Sequence, residues 1–286
     1  MLTIQTSVVN NPKFIELQYL TLKKFVKGDY KFVVYNHSKD YADCSNYYTE
    51  HNNYKKDIKN MCEKLNIECI DIVDNPDLYK GIPSLGCASA MNYILKNSHI
   101  QNPGKYLVID SDMFLIDEFK TDRYDNYDCA YIPQSRNECN YMWNGLYYFN
   151  TTTMKNLELL NWNLHKYTDN NPQQGCGYWT DVGGEMYKWI EQENKNHKVK
   201  ELKHLSSGSW NEDSLKIKIN PSVLNFCKND IRSVLNFGSN DKYFSEIYDD
   251  FILHYRAGGN WQGYEKSIHD NQIKLLETAI YDITRS

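Results

Sequence analysis

A short apolar strand that runs directly into two acids constrains the fold of this chain more than any other feature. A strand is predicted over 105–109 and is apolar from Tyr106 to Ile109; Asp110-Ser111-Asp112 follows, and a second apolar run, Met113–Ile116, comes next. A strand without a polar face fits the middle of a sheet that is covered on both sides, as in doubly wound α/β domains. Ligands of such sheets bind beyond the carboxyl ends of the strands, so the two acids lie where a ligand is expected.

The chain before these acids alternates between strand and helix patterns. Residues 3–9 are rich in β-formers, and apolar residues return at helical spacing after Asn10-Asn11-Pro12. Further strands are predicted over 31–35 and 67–73, and further helices over 54–65 and from residue 83 onward. This alternation predicts an α/β fold with a central, mostly parallel sheet flanked by helices, Rossmann-like in its N-terminal half.

The second half of the chain is less regular. Strands are predicted over 127–132, 145–150 and 251–255, and helices over 152–167, 181–192 and around residues 273–280. No repeat and no long linker divides the sequence, so we predict a single domain over 1–286. Within it we expect one half over about 1–117, a second over about 118–262, and a C-terminal helix over 263–286.

Charge and apolar patterning exclude two classes of partner. The chain has 32 Lys and Arg against 37 Asp and Glu, a net charge of −5, and no polybasic run. Nucleic acid is therefore not an expected partner, because binding to phosphates depends on basic side chains. No stretch approaches the roughly 18 apolar residues of a transmembrane segment, and no signal peptide is recognised.

With 8 cysteines but no Cys-x-x-Cys pair, reduced thiols and a cytoplasmic location are expected.

The paired acids predict a site for a hard divalent cation. Asp110 and Asp112 are one residue apart at the end of a buried strand, so both carboxylates can turn toward one ion. Mn²⁺ or Mg²⁺ is the expected cofactor, with water and substrate phosphate oxygens completing the coordination. The alternative is a solvated Asp-Ser-Asp turn, since these residues favour turns.

A second segment, far along the chain, carries complementary groups. His254 ends a predicted strand, and Arg256, Gly258 and Gly259 follow it. The imidazole can complete the coordination of the same cation, and the glycines allow backbone N–H groups to approach a diphosphate closely. Arg256 can neutralise charge on a leaving group. The alternative is that His254 only caps the strand.

These two segments resemble the glycosyltransferases of the GT-A fold, in which an Asp-x-Asp motif and a late histidine hold Mn²⁺ or Mg²⁺ on a nucleotide-sugar diphosphate. Among these enzymes, the sequence resembles the glycogenin-like members most, although the resemblance is distant. The resemblance implies that Asp110 faces the ribose and the metal, with Ser111 beside it, while Asp112 and His254 are direct ligands. It implies transfer of a sugar from a nucleotide sugar, UDP-sugar favoured, to a glycan or other hydroxyl acceptor.

The same resemblance implies a set of nucleotide-sugar-binding residues in the first half of the chain. They lie in the first strand-to-helix loop, at the end of the second strand, and on the helix that begins at residue 83. The set is Ser7, Val9, Asn10, Asn36, Ser89 and Asn92, together with Asp110 and Ser111 after the buried strand and Gly258 and Gly259 on the diphosphate. Two of these residues have structural alternatives, because Asn10 can cap a helix and Asn92 can be an ordinary solvated residue.

Candidates for acceptor binding and catalysis lie in the second half. The aromatic and amide side chains that can contact a sugar are Trp143, Asn144, Trp179 and Trp261. Asp181 and Glu185, four residues apart, offer a general base, with Arg256 as a further catalytic residue. The alternative for Asp181 is an electrostatic role at a helix N-terminus.

Two other functions fit parts of the pattern. A metal-dependent nucleotidyltransferase or phosphatase also uses paired acids at the end of a strand. A non-catalytic carbohydrate-binding protein would use the 24 tyrosines and 6 tryptophans but would not need Asp110, Asp112 and His254.

Overall fold

A computed structural model describes residues 1–38, 54–73, 83–136, 139–165, 180–206, 210–235, 242–259 and 263–285. The strands are β1 Leu2–Val8, β2 Val26–Lys27, β3 Tyr30–Asn36, β4 Glu68–Asp71, β5 Lys105–Ile109, β6 Met113–Leu115, β7 Phe119–Lys120, β8 Cys129–Arg136, β9 Cys139–Asn150, β10 Val199–Glu201, β11 His204–Leu205, β12 Glu246–Tyr248 and β13 Ile252–His254. The helices are α1 Lys13–Phe25, α2 Tyr54–Leu65, α3 Pro83–Ile94, α4 Tyr187–Glu193, α5 Pro221–Asn229, α6 Arg232–Leu235 and α7 Lys266–Arg285. In these ranges, no helix has both the length and the apolar character to cross a membrane.

The largest sheet has seven strands in the order β10-β8-β9-β5-β1-β3-β4. Strand β9 runs antiparallel to both of its neighbours, and the other adjacent pairs are parallel. The helices α2 and α3 connect parallel strands, as the alternating pattern predicts. The predicted fold class, α/β with a central, mostly parallel sheet flanked by helices, is confirmed.

The chain forms two compact units, and each is built from three separate segments. Unit 1 comprises Met1–Val9, Asp29–Asp110 and Asp122–Leu202, and it contains the seven-stranded sheet. Unit 2 comprises Asn10–Gly28, Ser111–Thr121 and Lys203–Ser286. A boundary near residue 117 does not separate these units, because α1 and β6 belong to unit 2 although they come early in the chain. A single domain over the whole chain stays a prediction.

The core of unit 1 forms where α3 packs on the sheet. The apolar side chains of α3 meet those of the strands and two buried tryptophans from the later segments. This cluster includes Val33, Ala88, Met91, Ile94, Val108, Tyr147, Phe149, Trp162 and Trp189. Strand β5 is fully apolar from Tyr106 to Ile109, and each of these residues is buried, as predicted for a central strand.

Unit 2 is organised around a four-stranded antiparallel sheet in the order β11-β12-β13-β6. Its core collects buried side chains from α1, α5, α7 and this sheet. The cluster includes Phe14, Leu17, Phe114, Val223, Phe226, Leu253, Tyr255, Leu276 and Ile280. The first helix of the chain and the last helix therefore share one core.

Most predicted elements of the first half are confirmed, and α2 and β5 have the predicted bounds. The helix predicted over 152–167 is wrong for its described part. Thr152 and Thr153 form a turn in which their hydroxyl groups bond to Asn150, and only a 3₁₀ turn, Leu157–Leu159, follows. Short polar side chains that bond the nearby backbone compete with a helix, and Asn156, with a φ of +52°, interrupts the helical path.

The helix predicted over 181–192 begins later than expected. Gly183 has a φ of +94°, a conformation that glycine adopts readily, and a 3₁₀ turn precedes α4. Asp181 therefore lies in a turn, not in the first turn of an α-helix. The predicted C-terminal helix is confirmed as α7, while α5 and the hairpin strand β12 were not predicted.

Candidate active site

A β-hairpin in unit 2 brings His254 opposite an acid. Strands β12 and β13 pair in antiparallel register, with Glu246 across from His254. The turn between them contains Asp249 and Asp250, whose φ angles are +45° and +67°, and the Phe251 N–H donates to the Tyr248 carbonyl at 3.1 Å. Positive φ at consecutive residues is typical of tight hairpin turns, where Asp is among the tolerated residues.

Strand β6 lies on the other side of β13, and the predicted acid Asp112 directly precedes it. His254 pairs with Met113, and the Tyr255 N–H donates to the Asp112 carbonyl at 2.9 Å. This register places Asp112 beside His254: the imidazole Nε2 lies 3.3 Å from Asp112 Oδ1. On its other edge, the imidazole Nδ1 lies 2.9 Å from Glu246 Oε2. Two residues that the sequence predicts as partners, far apart in the chain, are in direct contact.

The backbone after β13 fixes the Asp112 carboxylate. The Gly258 N–H donates to Asp112 Oδ2 at 2.8 Å. Ala257, with a φ of +62°, turns the chain so that this N–H faces the acid. The space beside Gly258 is filled, since a Cβ there would lie 2.5 Å from the Cβ of Asp112. Glycine is therefore required at this position.

Burial and the neighbouring charges shift the pKa of the His254 imidazole in opposite directions. Burial lowers the pKa of His254, but the charges and hydrogen bonds of Asp112 and Glu246 outweigh it and raise the pKa to about 10. Burial raises the pKa values of both acids, but the contacts with His254 outweigh it for Asp112, and the contacts with His204 and His254 outweigh it for Glu246, so both pKa values fall. In the metal-free protein this cluster is a cation between two anions.

The donor atoms of this cluster fit a divalent cation. Asp112 Oδ1 is buried beside the His254 ring, with which it forms an ion pair. It faces imidazole Nε2, and a carboxylate bound to the other ring nitrogen is the usual support of a metal-binding histidine. Within the described ranges, no group of three or more His, Cys, Asp or Glu has metal-binding geometry. Asp112 and His254 offer two donor atoms beside one another, and their role as ligands of Mn²⁺ or Mg²⁺ stays a prediction.

A buried arginine supports the loop that follows His254. The Arg232 guanidinium is bidentate on Asp230, with nitrogen–oxygen distances of 2.8 and 2.6 Å. It also donates to the carbonyls of Tyr255 and Arg256, at 3.2 and 2.9 Å, and lies 3.7 Å from the centre of the Tyr255 ring. The predicted catalytic Arg256 is half-buried, with its guanidinium 5.2 Å from the Phe244 ring centre.

Unit 1 brings a second group of predicted residues together. Burial, followed by the charges of Asp110 and Asp181, raises the pKa of the Cys87 thiol. The Asn144 amide donates to Cys87 Sγ at 3.3 Å. The backbone of Asp110 is bonded to the neighbouring strand β9, since its N–H donates to the Gly145 carbonyl at 2.8 Å. The Cys87 thiol thus bonds to one predicted residue, Asn144, and is within electrostatic reach of two others, Asp110 and Asp181.

Of the three tryptophans predicted to contact a sugar, Trp143 lies within the described residues. Trp143 is half-buried, and its ring covers Gly145, where a Cβ would lie within 2.2 Å of the indole. Glycine at 145 therefore leaves the space that the Trp143 ring occupies. Trp179 and Trp261 lie outside the described residues.

The second base candidate, Glu185, is engaged in ion pairs. Its Oε1 lies 2.6 Å from His165 Nδ1, and its Oε2 pairs with Lys188. Burial raises the pKa of Glu185, but the hydrogen bonds and electrostatic contacts with Lys188 and His165 outweigh it and lower the pKa. Asp181, in contrast, accepts a hydrogen bond of 2.8 Å from the Val182 N–H and is half-buried.

Two of the predicted nucleotide-sugar-binding residues have local structural partners. The Asn36 amide donates to the Lys55 carbonyl at 2.9 Å and its oxygen accepts from Ser38. Asn92 holds the segment 161–163 through bonds of 2.9 Å to Asn163 and from the Trp162 N–H. Asn92 is half-buried, so these bonds do not exclude the alternative of a partly solvated helix residue. The nucleotide contacts of both residues stay predictions.

The remaining members of that set are accessible in part. Ser7, Val9, Asn10, Ser89, Ser111 and Gly259 are half-buried, and Gly258 is buried. The alternative that Asn10 caps α1 is not supported, because the helix starts after Pro12 and the capping position has no side-chain hydrogen bond in the described region. Nucleotide binding by these residues stays a prediction.

Sequence reasoning missed Glu246, Tyr248 and His204. Glu246 Oε2 also accepts from the Tyr248 hydroxyl at 2.9 Å, and Glu246 Oε1 lies 3.4 Å from His204 Nε2. A signal was present: an acid in an otherwise apolar run, followed by Asp249-Asp250 and the strand of His254, has the pattern of a hairpin.

Comparisons with known proteins give a limited structural likeness. No protein-family model and no curated protein matches the sequence. A solved structure of an active-site mutant of LgtC is 14% identical, covering 52% of this chain and 57% of that chain, with a TM-score of 0.36. A structure of the galactosyltransferase LgtC in complex with donor and acceptor sugar analogs is 12% identical, covering 70% and 72%, with a TM-score of 0.40. The function proposed below rests on the residues of this chain.

Proposed function

We propose that this protein is a metal-dependent glycosyltransferase of the GT-A type. It would transfer a sugar from a nucleotide sugar, with UDP-sugar favoured, to the hydroxyl of a glycan or another acceptor. The observation that carries the proposal is the contact between Asp112 Oδ1 and His254 Nε2 at 3.3 Å, made by two residues remote in sequence. A carboxylate and an imidazole that converge in this way are a ligand pair for Mn²⁺.

The residues of unit 2 would hold the cation and the diphosphate. Asp112 and His254 would bind the metal. When bound, the cation supplies positive charge that stabilises a diphosphate leaving group. The Gly258 N–H holds Asp112 in place, and Arg256 would add positive charge near the phosphates.

The residues of unit 1 would bind the sugar and activate the acceptor. We assign the base to Asp181, because Glu185 is engaged with His165 and Lys188. In an inverting transfer, the Asp181 carboxylate would take the proton of the acceptor hydroxyl as this attacks the anomeric carbon. In a retaining transfer, it would lie beneath the sugar instead. Trp143 offers an aromatic face on which a sugar ring can stack.

A thermal-shift screen tests the proposal directly. UDP-, GDP- and dTDP-sugars are added with and without Mn²⁺, and a nucleotide sugar is expected to raise the melting temperature only when Mn²⁺ is present. Incubation with the stabilising donor should then release the nucleoside diphosphate, detected by chromatography. The variants D112N and H254N should lose both effects.

A matched control and the contrary outcomes follow from the structure. Lys266, exposed and paired with Asp270 on α7, can be changed to Met without touching the cluster, and K266M should behave as wild type. No shift with any sugar nucleotide would overturn the proposal. Metal-independent sugar binding that survives D112N would favour a carbohydrate-binding protein. Release of nucleoside monophosphate or inorganic phosphate would favour a nucleotidyltransferase or phosphatase.

A further inference from the structure

Glu246 is buried beside His254, yet both of its oxygens already have partners. Oε2 lies 2.9 Å from His254 Nδ1 and accepts from the Tyr248 hydroxyl, also at 2.9 Å. Oε1 lies 3.4 Å from His204 Nε2. A carboxylate engaged in this way is not placed to coordinate a cation itself. Its effect must act through the groups that it contacts.

The contact with Glu246 determines which imidazole nitrogen can bind a metal. A carboxylate only accepts hydrogen bonds, so Nδ1 must carry the proton. In the neutral ring the lone pair is then on Nε2, the nitrogen that faces Asp112 Oδ1. The same hydrogen bond fixes the ring plane, because Glu246 and Asp112 lie at opposite edges of the imidazole.

The position of Glu246 is itself held by its neighbours. Its place across from His254 is set by the register of the hairpin. The Tyr248 hydroxyl holds one oxygen, and the Tyr248 ring stacks on His204 with centres 4.6 Å apart and planes 3° from parallel. The side chain therefore has one preferred orientation before any ligand arrives.

We propose that Glu246 is a positioning residue that orients His254 and keeps Nε2 as its metal-binding nitrogen. This role rests on the proposed function, because it presumes that Asp112 and His254 hold a divalent cation. Carboxylates that support a metal-binding histidine typically change metal affinity by about 10- to 100-fold when they are removed.

The experiment measures Mn²⁺ affinity by electron paramagnetic resonance, without any substrate. Four proteins are titrated: wild type, D112N, E246L and E246Q. E246L removes the acceptor for Nδ1 at similar size, and its dissociation constant should rise about 10- to 100-fold. E246Q keeps an amide oxygen that can accept the Nδ1 proton, so it should recover most of that loss. A merely structural glutamate would not give this order of affinities.

A matched control separates positioning from general destabilisation. Glu193 is also a buried glutamate, and it accepts from Asn156 Nδ2 at 2.5 Å in unit 1. E193L should lower the melting temperature and leave Mn²⁺ affinity unchanged. If E246L does not fold, the comparison is made between E246Q and Y248F, which removes one hydrogen bond to Glu246 and should weaken Mn²⁺ binding by a smaller factor.

The outcomes distinguish this proposal from the function on which it rests. If wild type binds Mn²⁺ and D112N does not, but E246L and Y248F bind as wild type does, the positioning role is overturned while the metal site stands. If E246L is weak and E246Q is equally weak, orientation through the Nδ1 acceptor is also overturned. If wild type binds no Mn²⁺, both proposals fail.

Discussion

The backbone N–H of Gly258 and the carboxylate of Asp112 are joined by a hydrogen bond of 2.8 Å. This bond connects the loop after β13 to the residue before β6. A backbone group remote in sequence therefore fixes one carboxylate oxygen of Asp112. The other oxygen, Oδ1, is left to face His254. The orientation of the candidate ligand thus depends on a backbone group as well as on side chains.

We expect G258A to displace Asp112. An added Cβ would lie 2.5 Å from Asp112 Cβ and 2.7 Å from the Phe14 ring, too close for either to remain in place. Overpacking of this kind typically costs about 1–3 kcal/mol in the free energy of unfolding. Urea denaturation measures that loss, and Mn²⁺ affinity should fall with it. G104A is the matched control, because the atoms nearest to a Cβ at Gly104 belong to the Tyr106 side chain, at an ordinary contact distance of 3.6 Å; equal effects in the two variants would contradict this prediction.

We expect R232M to be strongly destabilised. Arg232 and Asp230 are both fully buried, so removing the guanidinium leaves the Asp230 carboxylate buried without its counter-charge. A change of this kind lowers the free energy of unfolding by about 3–5 kcal/mol. R232K keeps the charge but loses the bidentate geometry, and it should lie between wild type and R232M. The measurement is the denaturant midpoint. K242M, at the exposed pair with Glu212, should leave the midpoint unchanged. A wild-type midpoint for R232M would contradict the prediction.

We expect His99 to make stability fall on acidification. Burial lowers its pKa to about 3, while the unfolded value is near 6.5. The unfolded chain therefore binds the extra proton first, so stability is unaffected above about pH 6.5 and decreases as the pH falls toward 3. The slope is about 1.4 kcal/mol per pH unit.

H99Q removes this titration while retaining a donor for Gln5 Oε1, which lies 2.7 Å from His99 Nε2. Denaturation at pH 7, 6 and 5 should therefore show a smaller loss of stability in H99Q than in wild type. Parallel curves for the two proteins would show that the imidazole is not buried in the neutral form.

We expect the Cys87 thiol to report on the acids around it. Burial and the charges of Asp110 and Asp181 raise its pKa, so D110N and D181N should each increase the fraction of thiolate. Alkylation by iodoacetamide at pH 8, followed by mass spectrometry of the Cys87 peptide, should be faster in both variants. D122N, at an exposed acid, should label at the wild-type rate. Unchanged labelling in D110N and D181N would place neither carboxylate near the thiol.

Local patterns in the sequence predict the first half of the fold well. The bounds of α2 and β5 follow from helical spacing and from an uninterrupted apolar run, both of which are short-range signals. The signal for α5 was also local and was overlooked: Asn220 caps the helix through Ser222, and Pro221 occupies its first turn. The helix predicted over 152–167 failed because Asn150 and its neighbouring threonines bond the backbone locally.

The candidate site was predicted only in part, for a different physical reason. Asp112 and His254 were recognised as candidates from the strands that they border, and the structure brings them into contact. Glu246 was not recognised as a candidate, because its role depends on the register of a hairpin and on which side chains are opposite one another. The close approach of Asp110 and Asp181 to Cys87 also requires the arrangement of segments that are distant in sequence.

The shared core of α1 and α7 has a consequence for synthesis of the protein. Lys13 in α1 donates to the Tyr281 hydroxyl in α7 at 2.9 Å, and Phe14 and Leu17 pack against Leu276 and Ile280. Unit 1 has all of its segments once Leu202 has left the ribosome, whereas α1 must wait for the last helix to be translated. During that interval the apolar face of α1 lacks its final partner, so nascent chains that stall before α7 are the ones that chaperones would be expected to bind.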